Sequence, residues 1–246
     1  MLAAYLTQTR SLLQLPGTNS SSLYSDGDLT RFINVSRGQV AGEAECIRRI
    51  GTIPTVQNVN VYPFSSIVLN SSGVDGVLNV RSIRYAAGQG SIWIPSRAWE
   101  WFELYELNNA APNQAAPMSW SQYGQGASPG ATGSSGSGSL YISPLPDIVY
   151  TLNCDCVCYP VALASDGDPE VIPYLFTDCV PYFAAYYALL SAQTNARLND
   201  AIQYFKIYSE FLDRARKAAN PSVLRWQFEK AQDPVQASKL GQKGAA

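Results

Sequence analysis

Histidine is absent from all 246 residues. That one absence removes Ser-His-Asp and Cys-His nucleophile arrangements, together with most catalytic zinc sites. Charge is scarce as well: 17 Lys and Arg against 19 Asp and Glu make up 15% of the chain, well under the usual quarter, and leave a formal net charge of −2. No positive field exists to gather phosphates, which argues against specific nucleic-acid binding. A weakly acidic wall would still let a polyanion slide past without holding it. No run reaches the roughly 18 apolar residues that a membrane span needs. Met1-Leu2-Ala3-Ala4-Tyr5-Leu6 has neither the basic stretch nor the apolar core of a secretory signal, so this segment is expected to stay in a cytoplasmic product.

Disulfides are not expected either. Cys46, Cys154, Cys156, Cys158 and Cys179 are odd in number in a long chain, which reads as free thiols rather than a secreted framework. Alternation along Cys154-Asp155-Cys156-Val157-Cys158 places three thiols on one strand face, with Cys179 as a fourth candidate ligand. Structural zinc takes its cysteines in Cys-x-x-Cys pairs on turns, so these read as small residues on a half-buried strand and no metal is expected. No Walker loop or dinucleotide fingerprint occurs, and no cofactor is expected. Asp166 with Asp168, or Glu103 with Glu106, are the carboxylate pairs a glycan hydrolase would need. They read instead as helix caps and solvated faces.

What the chain does have is apolar and aromatic surface: 46% hydrophobic residues, 15 Tyr and 5 Trp. Amphipathic rings in such number fit a protein whose outer faces are partly buried by partners. The pattern predicts an α+β fold in four parts. Residues 1–55 read as N-terminal helices, the first over 2–15 up to Pro16-Gly17 and the second capped at Asp28 and running through Leu29, Phe32, Ile33, Val40 and Ile47 to Gly51. Gly38 and Gly42, one turn apart in it, point to close approach by a neighbour. Residues 56–164 read as a small inserted antiparallel β domain with a short helix over Arg97 to Leu107 and a Gly/Ser-rich flexible loop over 124–139. In its last part, Ile148 to Leu152 and Cys154 to Val161 read as separate strands. Residues 165–220 open on Ser165-Asp166-Gly167-Asp168, read as a helix start like Ser25-Asp26-Gly27-Asp28, and hold an antiparallel helix pair that completes a helical bundle. Residues 221–246 read as an extended docking tail carrying Leu224, Arg225, Trp226 and Phe228.

The second helix of the pair has two apolar stripes: Leu198, Ile202, Phe205 and Leu212, and beside them Tyr204, Tyr208, Phe211 and Ala215. One stripe suffices for a core, so the other is expected to be buried by another molecule. The sequence reading gives the core to the first stripe. Subunit contacts go to Tyr204, Tyr208 and Phe211, with Tyr182 and Tyr186 of the preceding helix.

This order of parts resembles the head-to-tail connector, or adaptor, proteins of tailed bacteriophages. Two segments sharpen the resemblance: Ser143-Pro144-Leu145-Pro146-Asp147-Ile148-Val149-Tyr150, similar to a Pro-x-Pro-Asp-x-x-Tyr stretch of adaptor-like proteins, and Asp168-Pro169-Glu170-Val171-Ile172-Pro173 followed by Tyr182 to Ala188. The resemblance implies a non-enzymatic homo-oligomeric ring, typically of twelve copies, in the virion neck at the head-tail junction after assembly in the host cytoplasm. It further implies binding to the portal protein through the tail, downstream tail or neck proteins attached below, DNA passing through the lumen, and no membrane contact. Another tail or minor capsid protein is the alternative within the same class.

Overall fold

The computed structural model describes residues 1–15, 24–87, 90–107, 114–124, 126, 138–191 and 197–219. Helices α1 (Leu2–Leu13) and α2 (Asp26–Ala44) come first. Ser25 caps α2: its Oγ accepts from the Asp28 backbone N–H, and the Asp28 carboxylate accepts from the Ser25 backbone. The cap is therefore Ser25, with Asp28 its reciprocal partner. The helix also ends earlier than the periodicity predicts. Glu45 takes the left-handed conformation at φ 48°, and the chain enters β1 (Arg48–Pro54) directly. Ile50, Thr52 and Ile53 are β-branched and favour the pleated surface, which overrides the helical spacing of Ile47 and Gly51.

Strands β2 (Val61–Pro63), β3 (Val68–Leu69), β4 (Val74–Ala87) and β5 (Gly90–Ile94) follow, then a one-turn α3 (Trp99–Phe102) that continues as a π-helical turn over Glu103–Leu107. After β6 (Ser119–Tyr123) and β7 (Ser139–Ser143), the predicted strand pair around Cys154 is one strand, β8 (Thr151–Pro160). Two antiparallel sheets result, in the orders β3-β1-β8-β4-β5 and β2-β7-β6. Central β8 pairs with β1 on one side and β4 on the other, which explains its near-continuous burial. On β1 a Cβ added at Gly51 would lie 2.4 Å from Ile67 Cγ2, so a glycine there lets Ile67 pack close over the strand. Gly38 and Gly42, by contrast, have nothing beyond their own helix within 4 Å of an added Cβ, so the close approach expected of them does not occur within the chain.

The C-terminal part comprises α4 (Tyr174–Thr177), α5 (Cys179–Ser191) and α6 (Leu198–Ala219). Ser165 to Asp168 do not begin a helix. Asp168 folds back to accept from the backbone N–H groups of Ala164 and Ser165, and Pro169 behind it disfavours a helical Asp168. Helix α5 is apolar nearly all round and is packed on by α1, α2, α4 and α6. Its Ala184, Ala185 and Ala188 are fully buried, and their small side chains let the neighbouring helices come close. Ser36 Oγ donates to the Val180 carbonyl at 2.7 Å, and Tyr24 OH to that of Ala188 at 2.8 Å. The chain is thus mixed helix and sheet, α+β as expected, with one hydrophobic core running from the helices onto the inner face of the larger sheet.

Candidate functional site

The described residues hold no obvious reaction centre, so the features that bear on function are the internal ties of the fold and the surfaces it leaves open. Both segments that carried the resemblance turn out to be ties. In Ser143 to Tyr150, the Asp147 carboxylate accepts from Tyr150 OH at 2.7 Å, and this hydrogen bond is the main reason the Tyr150 phenol is pushed up to about 12. Tyr150 and Thr55 exchange bonds through Tyr150 N–H to Thr55 Oγ1 at 2.7 Å and Thr55 N–H to the Tyr150 carbonyl at 2.8 Å. The Pro146 carbonyl accepts from Asn58 N–H, and that of Leu145 from Ala115 N–H. The segment therefore fastens the smaller sheet to the larger.

The second segment supplies Glu170, which meets Arg37 of α2. Arg37 Nε and Nη2 donate to the two carboxylate oxygens at 3.1 and 3.0 Å, and Nη1 donates to the Val161 carbonyl at 2.7 Å and to Asn34 Oδ1 at 3.3 Å. The arginine side chain is 1% exposed and that of the glutamate 7%. Asn34 also exchanges two bonds with the backbone of Leu163, so α2 clamps the chain leaving β8. Tyr5 lies beside this pair, its phenol pKa raised first by burial and then by the charge on Glu170. Reading the sequence missed this network. The signal was present: Arg37 falls on the buried stripe of Leu29, Ile33, Ser36, Val40 and Ala41, where an unpaired charge would be untenable.

The candidate carboxylate acid and base are both occupied. Asp166 Oδ1 accepts from the Met1 ammonium at 2.5 Å and from Ala3 N–H at 3.1 Å, and these bonds hold its carboxyl below the ordinary range. Asp168 is lowered likewise by the bonds from Ser165 and Ala164. Glu106 accepts from Ser143 Oγ at 2.5 Å. Cys154, Cys156 and Cys158 do share one strand face, fully buried against the core. Among the described residues, no three His, Cys, Asp or Glu side chains gather as a metal site.

Burial raises all five thiols: Cys46 and Cys154 to about 12, Cys158 and Cys179 to about 11, and Cys156 upward as well. Native protein at pH 8 should therefore react with iodoacetamide at least about 100-fold more slowly per thiol than the chain in denaturant, as followed by mass spectrometry. Rapid native labelling of the β8 cysteines would refute this burial. The linked stability runs downward with alkali. Unfolded thiols lose protons from about pH 8.5 while folded ones keep theirs to about 11 or 12, so this contribution is intact below pH 8.5 and erodes above it.

Burial cuts across the two stripes of α6: Leu212 of the first is in the core as expected, and so, against expectation, is Tyr208 of the second. Tyr208 is only 1% exposed, with its ring 4.9 Å from Phe183, and Leu212 and Ala215 are buried beside it. Burial, and after it the negative charge of Glu43, raises the Tyr208 pKa. Tyr204 is half-buried, its OH donating to the Leu12 carbonyl of α1 at 2.6 Å. Phe211 and Tyr182 are half-buried against each other at 5.5 Å, and Tyr182 also meets Tyr204 at 6.4 Å. Tyr186, half-buried, packs on Phe205 at 5.0 Å. Of the residues assigned to the subunit's own core only Leu212 is buried; Leu198 is 48% exposed, Ile202 59% and Phe205 43%, and on α5 Tyr187 is 41% and Leu190 43% exposed. The reason is that α5, α4 and α2 pack on α6 with Tyr208 turned toward Phe183, and α1 takes the Tyr204 hydroxyl, which leaves Leu198 and Ile202 uncovered. Trp101, Leu104 and Tyr105 after β5 are also open, with the Trp101 and Tyr105 rings 5.4 Å apart, and Trp93 of β5 is 63% exposed. Leu224, Arg225, Trp226 and Phe228 lie outside the described residues, as does most of the 124–139 loop. No described helix is long and apolar enough to cross a membrane.

Comparison with known proteins gives one match over nearly the whole chain: the family model described as SU10 adaptor protein, over residues 3–229. No curated protein matches. Among solved structures, one similar chain comes from the "Neck of empty GTA particle computed with C6 symmetry", at 15% identity over 82% of this chain and 87% of that one, with a TM-score of 0.26.

Proposed function

We propose, from the premise that this chain belongs to the SU10 adaptor protein family, that it is a structural subunit of a phage neck that joins the DNA-filled head to the tail. The observation that carries this is the extent of the family match, which takes in nearly every described helix, both described sheets and both of the fastening segments. Identical copies form a ring of twelve beneath the portal, hold tail or neck proteins below, and let DNA pass without binding its sequence. The low net charge fits such a passage, because a duplex gains little affinity where few cations release its counterions. The chain is read as an adaptor and not an enzyme. Its candidate acid and base are tied into turns and a helix start, and the family itself is one of adaptors.

Native mass spectrometry of the full chain with and without portal protein tests the reading. The expected result is a closed oligomer of about twelve copies that binds portal, and a chain ending at Asn220 that still assembles but loses the portal complex. A stable monomer indifferent to portal would overturn it, whereas assembly with tail proteins alone would move the chain to another tail component.

A further inference from the structure

We infer that the open apolar surface formed by Tyr187 and Leu190 of α5 with Leu198, Ile202 and Phe205 of α6 is where a second copy of this chain docks. The inference rests on the ring reading and names the face through which one subunit grips the next.

A chain of rings underlies the surface and links its two helices: Tyr187 stacks at 6.5 Å on Phe183, which meets Tyr186 at 5.6 Å, and Tyr186 in turn meets Phe205 at 5.0 Å. Leu190 follows Tyr186 by one helical turn, and Ile202 and Leu198 precede Phe205 by one and two turns on the same flank. Rings behind the surface hold it rigid, since Tyr187 also packs edge-on against Phe32 of α2 at 5.5 Å. A docking partner would thus meet side chains that have little further ordering to do.

Its size and chemistry favour a copy of the same chain. With roughly 200 Å² as the whole surface of a large apolar side chain, the five open residues leave on the order of 450 Å² uncovered. That is over half of the roughly 800 Å² that one partner gives to a stable interface. Helical spacing sets Ser209, Asp213, Lys206 and Asn199 beside it, one anion and one cation among them, so no net charge is present to recruit a partner of opposite sign. A surface mainly apolar and weakly charged matches the contact between like subunits, which is richer in apolar area than contacts between unlike proteins. A ring uses two different faces per subunit, so each copy offers this surface to one neighbour and meets the other neighbour with a different region.

Sedimentation of the full chain over a concentration series tests the assignment, with Ile202→Glu as the probe and Leu104→Glu on the open β region as the control. Both sites are exposed, 59% and 60%, so neither change should disturb the fold, and far-UV circular dichroism and thermal melting verify that. Ile202→Glu is expected to weaken assembly by at least about thirty-fold, as a buried contact residue does, and Leu104→Glu to leave it unchanged. A thiol placed by Leu198→Cys should be labelled more slowly in the oligomer than in the dissociated chain. If the unaltered chain assembles and Ile202→Glu assembles equally well with Leu198→Cys still reactive, the surface is misassigned and the connector reading stands. If the unaltered chain is a monomer alone and with portal, both fall.

Discussion

Arg37→Ala is expected to destabilise the folded subunit by about 3–5 kcal/mol, a loss comparable with much of the total stability of a single domain. The guanidinium is fully buried, and the two carboxylate oxygens of Glu170 and the Val161 carbonyl accept from it directly. Alanine leaves the Glu170 carboxylate, itself 7% exposed, without its cation in a site that water reaches poorly. It also orphans the Val161 carbonyl. Replacing both partners together, as Arg37→Met with Glu170→Leu, removes the stranded charge and should restore most of the loss. Urea denaturation of the two variants beside the parent makes the comparison. A single variant within 1 kcal/mol of the parent would show the pair to be solvated rather than buried, and a double variant no better than the single would locate the loss in packing.

Tyr208→Ala should cost a further large amount, about 3–5 kcal/mol, because it empties the centre of the helical part. Its ring lies 4.9 Å from Phe183 and 6.0 Å from Phe205, beside fully buried Ala201 and Leu212. Tyr204→Phe is the instructive contrast. It keeps the ring against Tyr182 and loses only the hydroxyl that donates to the Leu12 carbonyl, worth about 1 kcal/mol. Thermal or chemical denaturation reads both. If Tyr208→Ala instead gives a subunit of normal stability that fails to assemble, then Tyr208 faces a neighbour, as its place in the second stripe first implied, and the arrangement of α6 described above is wrong.

The local chemistry of the chain was legible in its sequence to a useful depth. Ser25 to Asp28 announces α2, although the cap was read at Asp28 and lies at Ser25, and alternation puts three cysteines on one face of β8. These follow from interactions among residues close in sequence. The same reasoning fails where one local pattern suits two outcomes. Ser25 to Asp28 and Ser165 to Asp168 both make the serine-to-aspartate hydrogen bond, yet only the first starts a helix. Pro169 stops the second, and its aspartates cap α1 and close a turn instead.

Composition and spacing alone therefore pointed to an α+β chain with a sparsely charged exterior and two apolar stripes on its last long helix. Which residues of the two stripes face inward was decided only by the tertiary structure. Helical periodicity reports how residues are distributed around an axis and carries no information about the side from which the neighbours approach. The neighbours settle it: α5, and α1 with its Leu12 carbonyl, close over Tyr204, Tyr208 and Phe211, and leave Leu198, Ile202 and Phe205 in the open.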